Sequence, residues 1–241
     1  MSKIRSSVIE PATGTTLTLG ASGDTVAVSS DAIKLNTLKD SGGNTLFTSN
    51  GSGTLSSVNS GLSGAGPKLI QSQTADGDST VSFTSGIDST YDKYMFVWID
   101  INPSSDGAQF QFQANVDGES GYNETITTST FHAYHNEDDS TALLQYNPWM
   151  DQAQGTSFQT ISPNLGNGSD ESGSGVLYLF SPSSTTYVKQ IYGRSQNHDN
   201  SNNCQDFYVG GYFNVTGAIT QIQFKISTGS FDGTIKLYGV S

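Results

Sequence analysis

The sequence predicts an all-β protein in two parts. An extended, strand-rich N-terminal anchor or shaft spans residues 1–66, and an antiparallel, jelly-roll-like β-sandwich spans 67–241. Three observations predict it. Past residue 66, apolar–polar alternations recur at short intervals between turn residues. No window carries an apolar stripe of helical period. Finally, eleven of the 12 Phe, all 11 Tyr and both Trp lie in the second part, whereas the first holds one aromatic residue, Phe47.

The first part reads as strands too short to be stable alone: residues 15–19, 25–29, 32–35, 44–48 and 53–56, cut by Gly, Asp and Asn. Such a segment stays disordered or is ordered by pairing with copies of itself. A linker, Ser60-Gly61-Leu62-Ser63-Gly64-Ala65-Gly66-Pro67, separates it from the second part. There Thr80-Val81-Ser82-Phe83-Thr84 alternates cleanly. Residues 93–101 are almost continuously apolar, as in a central strand buried on both faces. Gln109 to Val116 has period two, with one apolar face and one amide-rich face.

Further strands are predicted over 125–134, 156–161, 175–181, 186–194, 205–214, 218–227 and 233–239, with one turn of helix around Thr141–Gln145. Turn signals punctuate them: Asp106-Gly107, Asp117-Gly118, Gly166-Asn167-Gly168, Pro182-Ser183 and Asp232-Gly233. About ten strands with regularly spaced turns is the pattern of a sandwich.

The net charge is −12. Residues 1–66 balance four basic side chains (Lys3, Arg5, Lys34, Lys39) against four acidic ones (Glu10, Asp24, Asp31, Asp40), so the whole excess belongs to the second part. An acidic surface repels phosphate backbones and argues against nucleic acid as a partner. No apolar leader follows Met1 and no apolar run is long enough to span a bilayer, so cytoplasmic synthesis without membrane insertion is expected. Cys204 has no partner for a disulfide and no cationic neighbour in sequence, and it reads as a structural thiol.

Motifs for chemistry are few. His132 and His135 face opposite sides of a strand and cannot chelate one metal together; they read as surface or strand-end histidines. Glu137-Asp138-Asp139 lacks the alternating oxygens and the Gly of a calcium loop and reads as a solvated acidic loop. No nucleophile elbow or phosphate-binding loop is present, so neither a cofactor, a metal nor an enzyme activity is expected. Loops rich in aromatic and amide side chains point instead to saccharide binding, with Tyr122, Tyr134, His135, Tyr146 and Trp149 as candidates. The alternative is that these rings, Tyr146 and Trp149 above all, cap the sandwich as core.

The run Thr13-Gly14-Thr15-Thr16-Leu17-Thr18-Leu19-Gly20-Ala21-Ser22-Gly23-Asp24-Thr25-Val26 resembles segments of fibre-like virion proteins of tailed bacteriophages, especially marine ones, as does Asp40-Ser41-Gly42-Gly43-Asn44-Thr45-Leu46-Phe47. The C-terminal run from Ile222 through Gly229-Ser230-Phe231-Asp232-Gly233 to Gly239 is similar to the closing strands of a β-domain in the same proteins. The resemblance implies a virion structural protein, usually a homotrimer, anchored to other virion proteins by its N-terminal segment. It supplies no catalytic residue. Physical reasoning agrees: three copies would gather Leu17, Leu19, Val26, Val28, Ile33, Leu35, Leu46 and Leu55 around an axis. Full burial of each is worth roughly 1.5–3 kcal/mol, which one chain cannot collect. The resulting expectation is a virion-surface protein, assembled in the host cytoplasm, acting as a short tail or head fibre that binds a host-surface polysaccharide. The alternatives are a capsid decoration or cement protein and, from another class, a polysaccharide depolymerase.

Overall fold

A computed structural model describes residues 35–56, 58–59 and 66–240. The chain divides into two units, Met1–Gly64 and Ala65–Ser241. In the first, β1 (Thr37–Lys39), β2 (Thr45–Ser49) and β3 (Leu55–Ser56) form a three-stranded antiparallel meander. Its two turns share one local chemistry. Asp40 Oδ1 accepts from the Gly42 and Asn44 amides at 2.9 and 2.8 Å; Asn50 Oδ1 accepts from the Ser52 and Thr54 amides at 2.8 and 3.2 Å. Gly43, Gly51 and Gly53 take the positive φ that these turns require. Leu35 and Leu55 are exposed and Leu46 is half-buried, so a single copy leaves these anchor candidates uncovered. Leu17, Leu19, Val26, Val28 and Ile33 lie outside the described residues.

The second unit is an antiparallel sandwich. Its strands are β4 (Lys68–Asp78), β5 (Thr80–Phe83), β6 (Lys93–Pro103), β7 (Ala108–Val116), β8 (Ile126–Asn136), β9 (Ala142–Tyr146), β10 (Gln159–Leu165), β11 (Gly173–Phe180), β12 (Lys189–His198), β13 (Asn203–Phe213), β14 (Ile219–Ile226) and β15 (Phe231–Val240). One sheet has the order β4-β15-β6-β11-β12-β13-β8-β9, the other β10-β7-β14-β5. Without the hairpins β8–β9 and β12–β13, the remaining strands have jelly-roll order, β4-β15-β6-β11 facing β5-β14-β7-β10. The two hairpins extend the first sheet to eight strands.

Alternation builds the core. Phe110 and Phe112 of β7 and Phe224 of β14 point inward and meet Phe96 and Trp98 of β6 and Phe231 of β15, all of them buried. Phe224 is the hub, with ring centroids 5.3 Å from Phe96, 5.6 Å from Phe110 and 6.2 Å from Phe83. Each such aromatic pair adds about 0.5–1.5 kcal/mol beyond area burial. A bulge at Asp100, whose φ is 55°, resets the phase of β6 so that Ile101 turns inward again.

Four expectations are corrected here. β4 was not anticipated: it is an amide-rich edge strand, exposed for most of its length. The stretch around 141–145 is strand rather than helix from Ala142 on, because Ala142–Tyr146 pair with β8. β6 is not buried on both faces: Tyr94, Phe96 and Trp98 are buried, but Met95 and Val97 are half-buried and Ile99 is exposed. Cys204 is exposed on the outer face of β13 and is no core thiol.

Candidate functional site

The outer face of the eight-stranded sheet is unusually apolar. Strand register places Arg194, Tyr208, Phe131 and Tyr146 side by side across β12, β13, β8 and β9. The Phe131 and Tyr208 rings stack at 4.6 Å with 6° between planes, and the Arg194 guanidinium carbon lies 5.1 Å from the Tyr208 centroid. Further along the sheet Tyr192 packs against Tyr178 at 4.8 Å and against Phe180 at 5.7 Å. Tyr146 is 56% exposed, Tyr192 51% and Phe131 44%, so these rings form an open platform.

The ion pair beside Tyr208 is internally neutral. Arg194 Nε and Nη2 donate to Asp206 Oδ1 and Oδ2 at 2.8 and 2.6 Å, and Tyr208 Oη donates to Oδ2 at 3.1 Å. The hydrogen bond to Arg194 holds the Asp206 carboxyl below the usual carboxylate range and raises the guanidinium further above neutrality. Between Tyr208 and Tyr212 stands Gly210, whose outward side meets nothing within 4 Å.

The opposite side of β8 is closed. The turn Asn147–Met150 and the residues after it fold over it: Thr130 Oγ1 donates to the Asn147 carbonyl, and Asn147 Nδ2 lies 3.1 Å from His132 Nδ1. His132 is therefore buried, which corrects its expected surface position, and burial lowers its pKa. At the strand ends His198 Nε2 lies 3.0 Å from Glu137 and Nδ1 3.1 Å from Glu171. The hydrogen bond to Glu137 leads the causes that raise its pKa. A cleft of about 200 Å³ lined by Asn136, Glu137, Asp138, Ser201 and Asn202 opens beside this clamp.

The five saccharide candidates do not form one cluster. Tyr146 joins the platform, its hydroxyl bonded to Asp151, and His135 shares that face, 3.0 Å from Asp139. Tyr134 points to the other side of β8, its ring 5.7 Å from His132. Tyr122 donates to Gln221 at 3.0 Å on the other sheet. Trp149 is 83% exposed at the turn after β9, so neither it nor Tyr146 is core. Sequence reading missed Phe131, Tyr192, Tyr208 and Arg194. The available signal was aromatic side chains at both parities of predicted strands, Phe207 and Tyr208 among them.

Among the described residues no three His, Cys, Asp or Glu side chains are grouped to hold a metal ion. No protein-family model matches the chain, and no curated protein sequence matches it.

Proposed function

We propose that this chain is a structural protein of a tailed-phage particle, a short fibre whose jelly roll adheres to a host-surface saccharide. The observation that carries the reading is the exposed platform of Phe131, Tyr208 and Tyr146, with the Arg194–Asp206 pair at its edge. Flat rings stack on the apolar faces of sugars, and the polar groups beside them hydrogen-bond to hydroxyls. The exposed Leu35 and Leu55 of the N-terminal meander support an anchor that is covered by other copies or by other virion proteins. Resemblance of the N-terminal and C-terminal runs to phage fibre proteins supplies the particle.

The test is retention of the full chain on immobilised bacterial envelope polysaccharides, with light scattering on the same sample. Retention by at least one polysaccharide, lost in the double variant Phe131→Ala/Tyr208→Ala, is expected, together with the mass of a trimer. Retention on none of them, with the protein stabilising particles instead, would move the reading to a cement protein. Release of oligosaccharides would make it a depolymerase.

A further inference from the structure

Resting on the saccharide-adhesion reading, we infer a defined subsite: a furrow over Gly210 that takes one ring of a neutral saccharide. Its geometry follows from register. Gly210 of β13 stands opposite Tyr192 of β12 on one side and Ser129 of β8 on the other. This row is low, because glycine adds nothing and serine adds one hydroxymethyl. The neighbouring rows are high. Tyr208 and Phe131 rise on one side, and Tyr212, two residues from Gly210 on the same face, rises on the other.

The Cα atoms of the two wall tyrosines stand about 13 Å apart at the rise of an extended strand, leaving room for a pyranose between the side chains. Tyr192 closes one end, its ring drawn towards Tyr178 and away from the floor. At the other end the chain that follows β9 runs along the edge of β8 past Ser129: the Asn147 amide donates to the Thr130 carbonyl at 2.9 Å and the Thr128 amide to the Gln152 carbonyl at 2.9 Å.

Three features select the occupant. First, the Tyr208 ring is stacked between Phe131 and Arg194 and turns its edge to the furrow, so ring edges, phenol hydroxyls and the Ser129 hydroxyl line it, an alternation of apolar and hydrogen-bonding surface like that of a sugar. Second, the furrow runs across the strands, so the backbone groups beneath it are already paired in the sheet. A peptide adding as a strand needs unpaired main-chain groups and would find none here. Third, the furrow is uncharged in a chain of net charge −12. Arg194 beside Tyr208 is neutralised by the bidentate bond to Asp206, and none of the residues that line the furrow (Gly210, Ser129, Tyr192, Tyr208, Phe131 and Tyr212) carries a cation to hold a carboxylate or sulfate. Neutral hexose chains fit; uronates and sulfated glycans do not.

Gly210 provides a clean perturbation. It has no positive φ, and a Cβ there meets no atom within 4 Å, so a side chain can start from this position without backbone strain and extend over the furrow. In a strand a larger residue also reduces the unfolded-state freedom that glycine carries. The experiment measures binding of the full chain to neutral and anionic oligosaccharides by calorimetry, for wild type and for Gly210→Ala, Gly210→Val and Gly210→Trp. Light scattering and a melting curve accompany each variant.

The expected result is binding of neutral oligosaccharides only, weakened progressively along the series and at least tenfold at Trp. Melting temperatures should be equal or higher, and mass unchanged. If Phe131→Ala/Tyr208→Ala abolishes binding while Gly210→Trp leaves it intact, the furrow is wrong and the adhesion reading stands. If wild type binds no oligosaccharide, both fall. If Gly210→Trp lowers the oligomeric mass instead, the furrow is covered by a second copy and the inference is overturned. Preference for anionic glycans overturns it as well.

Discussion

The two faces of the eight-stranded sheet are made from alternate residues of the same strands, yet they do different work. Inward, β6, β13 and β15 present Phe96, Trp98, Phe207, Phe213 and Phe231, all sealed under the second sheet or its loops. Outward, the same strands present Met95, Val97, Tyr208, Tyr212 and Tyr238, all of them half-buried. Hydrophobic residues on a covered face are explained by folding. On an open face they need another cause, and ligand or partner contact is the physical one. The comparison predicts that inner substitutions cost stability and spare recognition, and that outer ones do the reverse.

The largest effect should come from the hub of the inner face. Phe224→Ala removes a ring that touches Phe83, Phe96, Phe110 and Phe112, and buried Phe→Ala changes cost about 3–5 kcal/mol. Urea denaturation of the variant should show a midpoint shift of that size with an unchanged slope. A shift under about 1 kcal/mol would mean that the two sheets are not packed through these rings.

A smaller, pH-dependent effect distinguishes the covered side of β8 from the exposed strand ends. His132 is buried and its folded pKa is depressed, so its contribution is present above the unfolded value near 6.5 and is lost as pH falls through the folded one. His198 is bonded to Glu137 and its folded pKa is raised. Its contribution is complete below about 6.5 and is lost as pH rises through the folded value. Urea midpoints from pH 8 to pH 5 should therefore respond in opposite directions to the two substitutions. His132→Gln should flatten the loss on acidification, and His198→Gln should steepen it. Identical profiles for both variants would mean that the two sides are equally solvated.

Much of the fold was legible because alternation and turn chemistry act locally. The Phe110–Phe112 period and the Asp40-Ser41-Gly42-Gly43-Asn44 turn need no distant partner to be recognised. β9 was illegible because Ala142-Leu143-Leu144-Gln145 shows no alternation, contains good helix formers and has all its side chains exposed; only pairing with β8 makes it a strand. The candidate site was legible only at Tyr146. Phe131, Arg194 and Tyr208 span 77 positions from first to last and come together through cross-strand register, which a local pattern does not encode. The continuous apolar run of β6 does not reveal that one of its faces is open, because an open apolar face and a buried one have the same sequence pattern.

The smallest effect on stability should accompany the clearest effect on recognition. Phe131 is 44% exposed, and its principal contact is the Tyr208 ring stacked on it. Removing one member of a cross-strand aromatic pair on an open face costs roughly 0.2–1 kcal/mol. Phe131→Ala should therefore leave the urea midpoint within that range of wild type. The buried side of the sheet is untouched, and the Arg194–Asp206 pair keeps its own geometry. Retention on a polysaccharide should nevertheless fall, because the ring is one of the three that form the platform. A loss of several kcal/mol would show instead that Phe131 is structural, and the division of labour between the two faces would fail at the residue where it is most exposed to test.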